Sequence, residues 1–172
     1  YVNGSYDSIE DIINSLGYVA EPITFNQLSN YSLVSQYDII FLNCGSISGS
    51  ISGNATVTNN LAKFVTNGGS LYASDWSVAY LIGGNNNASA CNEAGGFIPD
   101  ATLCSIDDGD SGTLNATIAN TALANAIGLS TLDIEYDLGS WQKIITVDET
   151  FWEVLVRETG TNQPLMIKTN NF

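Results

Sequence analysis

The sequence predicts an α/β fold built on a doubly wound, mostly parallel sheet that ends in antiparallel strands after residue 131. Three stretches carry this expectation: an apolar strand, Tyr37-Asp-Ile-Ile-Phe-Leu-Asn43; a second, Gly69-Ser-Leu-Tyr-Ala-Ser74, running into Asp75 and Trp76; and a helical pattern between them. Two short apolar strands joined through an amphipathic helix form a parallel βαβ unit, whose ligand-facing edge lies at the carboxyl ends of its strands. That edge carries Asn43, Cys44, Ser74, Asp75 and Trp76. With 172 residues, 44% of them hydrophobic, the chain can bury one sizeable core. A single α/β domain over residues 1–172 is expected, with one loop insertion at 85–112.

In chain order, Tyr1 and Val2 read as the end of a first strand. Asp7 can cap a helix with Glu10 three residues on, and Ile9, Ile12, Ile13 and Leu16 give its inward stripe. Gly17 ends it. Tyr18 to Ile23 reads as a short edge strand, because Pro22 lacks the N–H that a central strand uses. The strand from Asp38 to Asn43 is apolar on both faces, as a strand covered by helices on each side must be. The Gly/Ser-rich loop from Cys44 to Asn54 reads as a connector, since it lacks both phosphate-binding glycine patterns. Val57, Leu61, Phe64 and Val65 line the next helix, which stops at Gly68-Gly69. After the strand Leu71 to Ser74, Trp76 to Ile82 begins a further helix. Thr113 to Ala119 is strand-like, and Asn120 caps a short helix ending at Gly128. Leu132 to Leu138, Trp141 to Val147 and Phe151 to Val156 read as antiparallel strands at the sheet edge. Pro164 to Thr169 is expected to return to the main sheet.

Charge and composition exclude several functions. Four Lys and Arg against 18 Asp and Glu give a formal charge of -14, which repels nucleic acid and anionic lipid. No apolar run approaches the roughly 18 residues of a membrane span. The chain has 0 histidines, so Ser-His-Asp and Cys-His mechanisms, which need an imidazole near neutral pH, have no base within it.

Cys91 and Cys104 bracket an irregular segment, and a crosslink there would remove loop entropy. A Cys91–Cys104 disulfide is the expected pairing, with Cys44 left over; the other pairings stay open. A disulfide implies an oxidising compartment. Sequons at Asn3, Asn30, Asn54, Asn87 and Asn115 fit a surface glycoprotein, although a chain this rich in Asn, Ser and Thr supplies some by chance. Asp107, Asp108 and Asp110 stand in an acidic, glycine-containing turn. The first reading is a solvated loop, and the alternative is calcium, which wants several oxygens at close spacing.

The run Tyr37-Asp-Ile-Ile-Phe-Leu-Asn-Cys-Gly45, followed by Phe64-Val-Thr-Asn-Gly-Gly-Ser-Leu-Tyr-Ala-Ser-Asp-Trp76, resembles the class I glutamine amidotransferase-like superfamily, including its ThuA-like branches. The likeness continues through Ala116 to Gly128 and Pro164 to Ile167. It implies a flavodoxin-like sheet. In the enzymes of that superfamily a nucleophilic cysteine occupies a G-x-C-x-G turn; the corresponding turn here is Tyr72-Ala-Ser-Asp-Trp76, with serine at the central position and neither glycine. The resemblance therefore supports the fold and opposes the glutaminase chemistry. The resulting expectation is a non-catalytic extracellular or cell-surface domain with a structural, adhesive or assembly role, without a cofactor unless calcium. The alternative is a hydrolase or carbohydrate-binding module using the strand-end edge. Self-association, or membership of a longer chain, is expected from sheet edges left uncovered at the two ends.

Overall fold

The computed structural model describes residues 1–2, 4, 8–44, 54–78, 97–98 and 102–172. These fall into two compact units, one within Tyr1–Asn86 and Glu93–Ile98, the other within Asn87–Asn92 and Pro99–Phe172.

The first unit opens with Val2, bridged in parallel to both Ile23 and Leu42. Its N–H donates to the Phe41 carbonyl at 2.8 Å and its carbonyl accepts from Asn43 N–H at 3.3 Å. Helix α1 (Ile9–Ser15) follows and is closed by Gly17, whose φ of 85° is a left-handed value that glycine adopts without cost. A short 3-10 helix (Phe25–Ser29) and α2 (Tyr31–Val34) lead into strand β1 (Ile39–Leu42). Helix α3 (Ala55–Thr66), capped by the Asn54 side chain accepting from Val57 N–H, carries the chain to strand β2 (Ser70–Ala73). β1 and β2 pair in parallel, Ile39 opposite Ser70 through Leu42 opposite Ala73, as their helix-linked pattern requires. Val2, Ile23, Leu28, Val34, Ile40, Leu42, Val57, Leu61 and Phe64 form the core.

The second unit holds strands β3 (Leu103–Gly109), β4 (Gly112–Ile118), β5 (Thr131–Tyr136), β6 (Trp141–Val147), β7 (Glu153–Glu158) and β8 (Pro164–Lys168), with helix α4 (Thr121–Ile127) after β4. β3 pairs antiparallel with β6, and the other four form a sheet in the order β5-β4-β7-β8, antiparallel throughout. Trp141 anchors the β3–β6 pair: its ring stacks on Tyr136 at 4.0 Å and its indole N–H donates to the Asp110 carbonyl at 2.8 Å. The ring lies so close to the facing strand that a Cβ at Gly109 would sit 2.1 Å from it, which is why glycine is needed there.

The expected doubly wound, mostly parallel, flavodoxin-like sheet is not what forms. Among the described residues, parallel pairing is confined to β1–β2 and the two bridges at Val2, and every other sheet is antiparallel. Connection length accounts for one of the pairings: a parallel partner needs a crossover of roughly a dozen residues, and the link 159–163 between β7 and β8 is too short to supply one. β8 accordingly pairs antiparallel with β7 instead of returning to the parallel strands. Residues 103–109, expected within an irregular insertion, form β3. Of the span Tyr18 to Ile23, only Ile23 is bridged. The α1 stripe is narrower than its spacing implied: Ile9 and Ile13 are buried, whereas Ile12 and Leu16 are exposed.

Two outcomes follow from burial and charge. Leu61 is fully buried and Leu16 is 65% exposed, so Leu61→Ala should cost about 2–5 kcal/mol in denaturant unfolding and Leu16→Ala about 0.5 kcal/mol or less. In the second unit, Lys168 at 3.0 Å and the Asn120 amide hold the Glu153 carboxyl below its usual range. The Thr150 hydroxyl and N–H do the same for Asp148. A lowered folded pKa stabilises the fold above the unfolded carboxylate range, and this is lost as pH falls through the folded value. The thermal midpoint should therefore drop on acidification below about pH 4, with a shallower acid limb in Glu153→Gln; identical limbs in both proteins would contradict the assignment.

Candidate functional site

The ends of β1 and β2 bring the sequence-predicted edge residues together. Asn43 continues β1 and is 2% exposed, and Cys44 beside it is 6% exposed. Ser74, directly after β2, accepts from Cys44 N–H at 3.1 Å through its hydroxyl oxygen and donates to Asn43 Oδ1 at 3.4 Å. The Cys44 thiol donates to Asp75 Oδ2 at 2.7 Å. Parallel pairing makes this possible, because the register that sets Leu42 opposite Ala73 sets the next residues of both strands side by side. Trp76 follows Asp75 and is half-buried.

Asp75 has a φ of 49°, a left-handed value that aspartate tolerates better than most side chains. It opens a short 3-10 helix (Asp75–Val78) in place of the start of the α-helix expected from Trp76 to Ile82, of which residues 79–82 lie outside the described residues. The sharp turn aims its carboxylate back at Cys44.

Two members of the cluster escape sequence reasoning. Ser77, 3% exposed, donates its hydroxyl to the Asn43 carbonyl at 2.7 Å, closing the 3-10 turn onto β1. Gly4 passes so close that a Cβ there would fall 1.8 Å from the Cys44 carbonyl oxygen. A glycine soon after a strand is the only signal the sequence carries for that approach, and the serine carries none.

The other predicted site residues are dispersed. Asp107 and Asp108 are consecutive residues of β3, opposite Lys143 and Gln142, and Asp108 accepts from Gln142 Nε2 at 3.0 Å. They sit in a paired strand, and Asp110, directly after it, accepts from Trp141 through its carbonyl. Among the described residues, no group of three or more His, Cys, Asp or Glu is placed to hold a metal ion. Cys91, and with it the expected disulfide to Cys104, lies outside the described residues, as do Asn3 and Asn87. Asn30 and Asn54 cap α2 and α3 through Oδ1, not through the Nδ2 that a glycan would occupy. Asn115, exposed on β4, donates Nδ2 to Asp133 at 3.0 Å.

Comparison with protein families, curated proteins and solved structures finds no match.

The strand-end geometry makes position 75 the test of the cluster. Asparagine tolerates the left-handed backbone and keeps an oxygen facing the thiol, so Asp75→Asn should unfold within about 0.5 kcal/mol of the parent. Alanine supplies neither property, and Asp75→Ala should cost about 1–2 kcal/mol by chemical denaturation.

Proposed function

We propose that this chain is a non-catalytic extracellular or cell-surface glycoprotein domain with a structural, adhesive or assembly role. The observation that carries the proposal is the closure of the strand-end cluster on itself. The Cys44 thiol, Ser74 hydroxyl, Asn43 amide and Asp75 carboxylate hydrogen-bond one another across the ends of β1 and β2. A nucleophile of the Ser-His or Cys-His kind needs an imidazole to take its proton, and the chain has 0 histidines. The group facing the thiol is a carboxylate, so a thiolate there would confront a second negative charge at hydrogen-bond distance. The cluster suits a clamp that fixes two strand ends.

The surface supports a contact role. On and after α1, Ile12, Leu16, Tyr18 and Val19 are all exposed, Val19 by 94%. Exposed apolar side chains so close together in the chain are candidates for contact with another molecule. β5 and β8 are the outer strands of the four-stranded sheet, and an outer strand offers its backbone to further pairing. The capping geometry of Asn30 and Asn54 is compatible with glycans at both.

The test is an activity and binding screen on the purified chain with ester, amide and glycoside substrates, run beside Asp75→Ala and Trp76→Ala. No turnover attributable to the cluster is expected, and Cys44 should be alkylated much more slowly in the folded than in the unfolded chain. Specific turnover lost in both variants would overturn the reading.

A further inference from the structure

A second feature, independent of the strand-end cluster, lies wholly within the second unit. The turn before β7, the first turn of α4 and the residues after β8 enclose an open cleft of about 760 Å³. That volume falls in the range of small-molecule sites, roughly 300–1,000 Å³.

Its walls have a distinctive charge arrangement. The whole chain has four Lys and Arg, and two of them, Arg157 and Lys168, line this cleft. Each is met by a carboxylate that also lines it: Arg157 pairs with Glu149 at 2.7 Å, and Lys168 with Glu153 at 3.0 Å. In a chain of net charge -14, this is a place where charge is locally balanced. A cation site would leave its carboxylates open, and an anion site its cations. Matched pairs instead present donors and acceptors together, without a net attraction for either sign.

Side-chain amides extend that pattern. Asn171 donates Nδ2 to the Phe151 carbonyl at 3.0 Å, and Asn120 donates to Glu153, so the lining is held in place before any ligand arrives. The Arg157 guanidinium is fixed from a second side by the Asn162 carbonyl at 3.0 Å. Phe151 gives the cleft an aromatic wall, and its ring is braced edge-on by Trp152 at 5.5 Å and Phe172 at 5.7 Å.

We propose that this cleft binds a neutral saccharide. Sugar hydroxyls donate and accept at once, which is what alternating carboxylate, guanidinium, ammonium and amide groups ask of a ligand. The C–H face of a pyranose is apolar and fits against an aromatic ring.

The test is titration of isotope-labelled chain with neutral tetrasaccharides of glucose, mannose, galactose and N-acetylglucosamine, followed by NMR. Saturable shifts are expected for at least one sugar, centred on the Asn120 and Asn171 side-chain amides and the backbone of residues 149–154. Glu149→Gln alters a side chain that is 61% exposed, so the fold should survive by circular dichroism. Its affinity should fall about tenfold through loss of a charge-assisted hydrogen bond. The proposal fails if no neutral sugar shifts these resonances, if Glu149→Gln binds unchanged, or if a tetragalacturonate binds in place of the neutral sugars. It fails too if the cleft resonances move with protein concentration alone, which would make a second copy the occupant.

Discussion

A strand can lie parallel to its predecessor only if the chain between them is long enough to cross back over the sheet. This constraint divides the protein. In the first unit α3 makes the crossing, and β1 and β2 run side by side in one direction. From residue 103 onward most connections are short, and β7 and β8, which one of them joins, run antiparallel. Even the longer link between β4 and β5, which contains α4, brings the chain back antiparallel. The strand-end cluster and the cleft follow from this division: a parallel pair gathers two carboxyl ends at one edge, whereas an antiparallel sheet collects its turns and helix ends into a rim.

The sequence makes the elements more legible than their partnerships. Alternating apolar and acidic residues from Thr131 to Tyr136 announce β5, and the apolar run before Asn43 announces β1. Which strand joins which sheet depends on connection length and on large side chains such as Trp141, whose need for Gly109 opposite it no periodicity reveals. Helix α1 shows the same limit. Its four apolar residues fit one stripe, yet only Ile9 and Ile13 meet Tyr1, Ala20 and Phe41 in a packed cluster. At the strand ends, Asn43, Cys44, Ser74 and Asp75 are legible because parallel register alone brings them together. Ser77 and Gly4 are not, since their roles arise from a turn and a close approach that exist only once the chain is folded.

Cations in so acidic a chain are few enough to follow one by one. Lys143, Arg157 and Lys168 each pair with a glutamate in the second unit. Lys63 instead sits 3.9 Å from the ring centre of Tyr31, where the aromatic face takes the place of a carboxylate. The glutamates at 149, 153 and 158 are thereby relieved of mutual repulsion, while the carboxylates elsewhere hold like charge apart at the surface.

The thiol of Cys44 and the carboxylate of Asp75 lock the ends of β1 and β2 together through one hydrogen bond. A lineage that replaces the cysteine with an apolar residue leaves the Asp75 carboxylate, set in a left-handed turn, facing an apolar group. One that replaces the aspartate removes the carboxylate to which the buried Cys44 thiol donates. A change at either position therefore bears on the other, although the two lie 31 residues apart in the chain.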